Sequence, residues 1–176
     1  MVILIGGSTH AGKTNLAQRL MEKKKYPYVS IDHIKMGLIR SGMIEQQNDD
    51  IELTKVLWPV ISEMIKTIVE NEQDVIIEGC YIPHDWRESF DEDYLDDIEC
   101  VYLIMSEEYI EKHFDDIRKY ASVIENRGYD EGLKKEELLK YNKYCYEMCE
   151  KYDCEYVLIN NKYDINELMS QFKEAD

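Results

Sequence analysis

Five short runs of β-branched and aliphatic residues punctuate the chain: VILIGG (2–7), YVSID (28–32), DVIIEG (74–79), ECVYLIM (99–105) and EYVLIN (155–160). They are almost continuously apolar, the pattern of strands covered on both faces. The segments between them switch to a three-four spacing. Leu16, Ala17, Leu20 and Met21 make one such stripe. The run from Leu53 through Val56, Leu57, Val60, Ile61, Met64 and Ile65 to Ile68 makes a second, and Ile165, Leu168, Met169 and Phe172 a third. Such stripes predict amphipathic helices. Strands alternating with helices imply an α/β domain around a parallel sheet.

Nothing in the pattern reads as a linker, a repeat or a low-complexity tract, so all of 1–176 is expected to form one domain. Two stretches are longer than connections need to be, about 33–57 and about 112–135. Long excursions at the carboxyl ends of parallel strands are where ligands are usually met. The acidic stretch ESFDEDYLDDIE (88–99) reads as a solvated loop and helix.

The loop after the first run changes the picture from fold to chemistry. GSTHAGKT, Gly7 to Thr14, satisfies G-x-x-x-x-G-K-[ST] in full. A chain of this length and composition would contain that pattern by chance about once in five hundred. Gly7 and Gly12 let backbone amides close around a phosphate, with Ser8, Thr9, His10 and Ala11 supplying the rest of the wrap. The following helix amino terminus adds partial positive charge. Lys13 is a mobile cation for the β- and γ-phosphates, and Thr14 offers a hydroxyl to Mg²⁺. His10 is read as a solvent-facing loop residue rather than a catalytic imidazole.

Two acids follow at strand ends. Asp32, in SIDHIKMGLIR, is placed to take a proton from an acceptor hydroxyl or to orient it; a helix cap is the alternative at this position. Glu78, in VIIEG, stands where a carboxylate would hold Mg²⁺ or its water shell and face the substrate. Which of the two is the base stays open. Only five of the 21 basic residues are arginines. Arg118 and Arg127 share the second excursion, where a closing lid would bring a planar cation to the transferring group. Lys35 and Arg40 in the first excursion are candidates for the acceptor.

NKYD (161–164) matches a guanine-reading tetrapeptide, which makes Asn161 a candidate base contact. No D-x-x-G turn accompanies it, and Asp164 with Glu167 reads better as a capping pair. The purine is therefore left open, with ATP as the working donor. Cys145, Cys149 and Cys154 lack a fourth ligand at zinc spacing and are read as packing cysteines. Trp58 and Trp86 are read as core.

The net charge of −16 counts against a polyanion-binding face of the kind nucleic acids require, and no nucleic-acid partner is expected. No apolar run is long enough for a signal core or a membrane span. With five cysteines and no export signal, a cytoplasmic monomer or homodimer is expected.

The cradle, SID on the second strand, IIEG on the third and an arginine-bearing lid before the fifth together resemble the P-loop small-molecule kinases, the nucleoside monophosphate and shikimate kinase-like superfamily. SIDHIKMGLIR and VIIEGCYI look most like 2-phosphoglycerate kinases, with adenylate kinases and zeta-toxin-type kinases further off. The resemblance implies a five-stranded sheet in the order 2-3-1-4-5 and ATP–Mg²⁺ as donor. It also implies a γ-phosphoryl transfer to a small hydroxyl- or phosphate-bearing metabolite or nucleotide. Lys13 and Thr14 would bind phosphate and metal, Asp32 would face the acceptor, and lid arginines would clamp the transferring group. The alternatives are an ATP-binding regulatory protein without an acceptor, and a toxin-like sugar-nucleotide kinase.

Overall fold

A computed structural model describes residues 1–45, 50–120 and 132–172. The first apolar run forms β1 (Val2–Gly7), and the glycine loop leads into α1 (Lys13–Lys24). Then come β2 (Tyr28–Ser30), α2 (Ile31–Arg40), α3 (Asp50–Glu70) and β3 (Val75–Glu78). A 3₁₀ turn at Trp86–Ser89 and the short α4 (Glu92–Leu95) occupy the acidic stretch before β4 (Ile98–Met105). The chain closes with α5 (Glu107–Tyr120), α6 (Lys135–Tyr152), β5 (Tyr156–Ile159) and α7 (Ile165–Met169).

All strand pairings are parallel and the order is β2-β3-β1-β4-β5, as the resemblance implied. Alternation along the strands divides the apolar residues between two layers. Val2 and Leu4 of β1, with Ile77, Tyr102 and Ile104, pack beneath Leu57, Ile61 and Ile65 of α3 and Cys145 and Cys149 of α6. Ile3 and Ile5, with Ile76, Val101 and Leu103, pack beneath Leu16, Ala17 and Leu20 of α1, Ile110 of α5 and Leu168 of α7. Covering on both faces is why these strands read as unbroken apolar runs.

One boundary differs from expectation. The apolar run predicts a second strand over 28–32, but its last ladder partner is Ser30, opposite Glu78. Ile31 is fully buried and opens α2, so the chain turns into a helix as soon as that side chain reaches the core. Asp32 therefore lies in the first turn of α2 rather than on the strand. The expected first excursion is largely helical, with α2 and the start of α3 lying either side of the undescribed 46–49. The second begins inside α5, whose helical backbone is interrupted at His113 (φ −118°), and ends at the start of α6.

The parallel ladder brings β1 to β4 with Gly7 opposite Leu103. A Cβ at Gly7, where φ is 115°, would lie 2.2 Å from the Leu103 carbonyl oxygen. Both the left-handed backbone and the contact demand glycine. A Cβ at Gly37, in the interior of α2, would meet nothing within 4 Å. Gly7→Ala is expected to lower unfolding free energy by about 2 kcal/mol or more. Gly37→Ala should raise it by about 0.5–1 kcal/mol through helix propensity alone. Urea titrations with unchanged slope check both.

Candidate active site

The loop from Gly7 to Thr14 curls over the carboxyl edge of the sheet. His10 adopts a left-handed conformation (φ 63°), and its Nδ1 lies 2.9 Å from Thr9 Oγ1. Ser8 is fully buried. Gly12, at φ 85°, ends the loop, and α1 begins at Lys13. A Cβ on Gly12 would lie 2.5 Å from the Tyr163 ring. The Tyr163 hydroxyl donates to the Gly12 carbonyl (3.2 Å) and accepts from Asn15 Nδ2 (3.1 Å). The tyrosine thus clasps the point where loop becomes helix.

Lys13 is 7% exposed. Its ammonium donates to the Ser8 carbonyl (2.7 Å) and to Cys80 Sγ (3.2 Å). Burial works against its charge, but Cys80, Glu78 and Asp32 outweigh burial and raise its pKa above the ordinary lysine value. Glu78 is itself 2% exposed, held by β3 between Ser30 of β2 and Ile5 of β1. Cys80 remains a thiol, because burial raises its pKa more than Lys13 lowers it.

On the other side of this group, Asp32 pairs with Lys35 one helical turn later. Lys35 also donates to the Tyr81 hydroxyl (2.8 Å), which in turn donates to Asp50 Oδ1 (3.3 Å). Burial opposes the Lys35 charge, and the bonds to Asp32 and Tyr81 restore it. Burial pushes Tyr81 up to about 12, so the phenol stays protonated. The chain Asp32–Lys35–Tyr81–Asp50 ties the start of α2 to the start of α3.

A cavity of about 440 Å³ opens over these groups. It is lined by the loop from Thr9 to Asn15, by Asp32, Glu78 and Cys80, and on the far wall by Tyr109, Asp116, Ile117, Tyr120 and Tyr163. That volume suits a nucleotide-sized ligand. The loop residues, Lys13, Thr14, Asp32 and Glu78 are thus brought together. Arg40 is exposed at the end of α2, and Asn161 is exposed after β5; neither lines the cavity. Arg118 lies in the last turn of α5, its guanidinium 5.8 Å from the centre of the Phe114 ring. It too is outside the lining, although its neighbours Asp116, Ile117 and Tyr120 are within it. Arg127 lies outside the described residues.

No motif in the sequence assigns a role to Cys80, Tyr81 or Tyr163, although the first two fall in VIIEGCYI. The signal for the first two is their place directly after VIIEG, at the carboxyl end of a central strand. In NKYD the matched residues draw the eye, yet the unmatched Tyr163 touches the loop. Asp164 does cap α7, accepting from the Asn166 and Glu167 amides (3.1 and 3.4 Å).

The donor set fits a polyphosphate with Mg²⁺. Gly7 and Gly12 leave the loop backbone open to close approach, and Lys13 supplies the buried cation. Thr14, Glu78 and Asp32 offer oxygen ligands. Among the described residues no group of three or more His, Cys, Asp or Glu could hold a metal alone. Mg²⁺ characteristically shares one or two protein oxygens with phosphates and waters. Among the described residues no helix is long and apolar enough to cross a membrane.

Comparison with known proteins agrees with this frame. No curated protein matches in sequence. Among solved structures, deoxyadenosine kinase from M. mycoides aligns over 97% of this chain and 96% of its own, with TM-score 0.59 and 15% identity. Shikimate kinase from Acinetobacter baumannii aligns over 97% and 89%, with TM-score 0.55 and 16% identity. A gluconokinase from Sinorhizobium meliloti aligns over 97% and 87%, with TM-score 0.51 and 13% identity. These likenesses establish the shared fold. A family profile described as an AAA domain matches residues 1–116, which spans the glycine loop, Asp32, Glu78 and Cys80. The chain therefore belongs to this AAA-domain family of P-loop proteins.

Proposed function

We propose that the protein is an ATP- and Mg²⁺-dependent phosphotransferase acting on a small hydroxyl- or phosphate-bearing metabolite or nucleotide. One observation carries the reading. A buried lysine on the glycine loop shares one cavity with two carboxylates from different elements, Glu78 on β3 and Asp32 on α2. A loop that only held nucleotide would not need a second acid facing the same cavity. That several structural neighbours are kinases points the same way.

When bound, ATP–Mg²⁺ supplies the γ-phosphoryl group and a neutralising cation. The loop amides and the start of α1 would hold the phosphates, and Lys13, now bonded to the Ser8 carbonyl and Cys80, would supply the cation for their oxygens. Thr14 and Glu78 would hold the metal. Asp32 accepts the proton of the acceptor hydroxyl, its geometry set by Lys35. The acceptor would lie on the Asp32 side of the cavity, near Lys35, which is bonded to Asp32. Arg118, in the last turn of α5 beside residues that line the cavity, is the arginine proposed to serve the transferring group. Positioning and charge neutralisation supply the rate.

The direct test is γ-labelled ATP incubated with nucleosides, nucleotides, sugar acids, phosphoglycerates and sugar nucleotides. Label in one of them supports the reading; turnover that stays at the water background with every acceptor overturns it. Lys13→Ala is expected to abolish transfer. Asp32→Asn should lower kcat by about a hundredfold or more while ATP affinity, by calorimetry, stays within about twofold. Tyr163→Phe removes the hydroxyl that links Gly12 and Asn15. It should weaken ATP binding by about fivefold, on the order of 1 kcal/mol, with little change in melting temperature.

A further inference from the structure

Ser30 carries a hydroxyl that the folded chain does not use. It ends β2 and stands at the N-cap of α2 (φ −90°, ψ 128°). Serine favours that position because its oxygen can accept from an amide of the first helical turn. Here no such bond is made. The residue is 1% exposed, and among the described residues its Oγ has no hydrogen-bond partner. Entry into the helix therefore does not depend on the hydroxyl, and burying it unpaired is unfavourable.

The register of the sheet shows what this hydroxyl stands beside. In the ladder between β2 and β3, Ser30 is opposite Glu78, just as Tyr28 is opposite Ile76. Opposed residues of neighbouring strands put their side chains on the same face. Tyr28 and Ile76 belong to the layer beneath α1, so Ser30 and Glu78 continue that row to the carboxyl edge. Of these four residues only Glu78 lines the cavity. The next residue, Ile31, is fully buried against Gly79, where a Cβ would lie 2.8 Å from its own. The end of β2 is thus held in place next to Glu78. A carboxylate has two oxygens, and one can face a metal while the other takes a hydroxyl proton.

We propose that Ser30 is a positioning residue for the metal half of the site. With Mg²⁺ and nucleotide bound, its hydroxyl donates to Glu78 and fixes the carboxylate whose other oxygen serves the metal. The inference rests on the kinase reading, which gives Glu78 to the metal. Ser30 itself touches neither metal nor phosphate. It acts through Glu78, as outer partners of metal ligands do when they set the ligand's orientation. The hydroxyl left unpaired at the end of β2 is then a donor held ready for the loaded state.

The test uses Mn²⁺ as the probe metal, titrated into protein with a non-hydrolysable ATP analogue and read by electron paramagnetic resonance. Ser30→Ala is expected to weaken Mn²⁺ binding by about tenfold. Affinity for the analogue without metal, by calorimetry in EDTA, should stay within about twofold. Ser30→Thr, which keeps the hydroxyl, should restore most of the loss. In the ligand-free protein Ser30→Ala should melt no lower than wild type, because the group removed has no partner there. A capping serine would show the opposite. In a Glu78→Gln background the alanine substitution should weaken Mn²⁺ binding no further, which marks Glu78 as the route. If Glu78→Gln weakens Mn²⁺ binding and Ser30→Ala does not, Ser30 merely closes the strand; the inference fails and the kinase reading stands. If neither substitution matters, the assignment of Glu78 to the metal fails and takes the inference with it. Failure to bind the analogue at all would sink both. Ser30→Cys, close in size but a weaker donor, gives the same comparison should the alanine variant fold poorly.

Discussion

A buried ammonium is the constraint on which the site depends. Lys13 is fixed by the first turn of α1 and cannot move far from the sheet edge. Its charge would be costly there without compensation. Compensation comes from three directions: a carbonyl of its own loop, a sulfur just beyond β3, and the carboxylates of Glu78 and Asp32. The partners come from three stretches of chain: the loop itself, the end of β3 and the start of α2. The need to satisfy one lysine therefore couples β1, β3 and α2 into a single arrangement.

The loop that carries Lys13 is held with equal economy. At its start, Gly7 lies against the backbone of β4; at its end, Gly12 lies against Tyr163 from beyond β5. Both contacts occupy the space a side chain would need. The neighbouring strand β4 thus fixes one end of the cradle and the last loop of the sheet fixes the other. Between them the loop is seated by Ala11, buried in the apolar layer beneath α1. This explains how a chain of net charge −16 can present an anion site. The positive potential is local, built from one lysine and one helix terminus, and needs no basic surface.

Most of the fold was legible because the sheet is buried on both faces. A doubly covered strand has to be apolar at every position, so β1, β3 and β4 announced themselves, and the glycine loop set the direction of the chain. The end of β2 was misplaced for the same reason. Ile31 continues the apolar run, but it is buried as the first residue of a helix, and burial alone does not distinguish a strand from a helix start. At the site, Lys13, Thr14 and Glu78 could be placed because a motif or a strand end fixes each. Lys35 was a candidate, yet its pairing with Tyr81 and Asp50 depends on where α2 and α3 meet, which no local pattern encodes. Tyr163 was hidden in a tetrapeptide whose other positions attracted the attention. Arg118 was placed near the cleft by its segment, but which side of a helix faces a cavity is decided by packing, and α5 turns Asp116, Ile117 and Tyr120 inward.

The two halves of the site differ in how firmly they are built. Glu78 and the loop rest on central strands whose side chains are almost wholly buried. Asp32 rests on α2, a helix with one buried residue, Ile31, and an interior glycine. Beyond the partial packing of Ile34 and Leu38 against the core, what ties that helix to the site is polar: Lys35 bonded to Asp32 and to Tyr81, and Tyr81 to Asp50. Hydrogen bonds of this kind contribute little net free energy apiece and exchange readily with competing groups. A ligand hydroxyl arriving at Asp32 would compete with Lys35 for the same carboxylate and free an ammonium beside it. On the proposed reading the acceptor half can therefore be reset by what enters it, while the phosphate half is held by the strands. That division suits a transferase, in which the donor must be held in a fixed frame and the acceptor's arrival should complete the catalytic group.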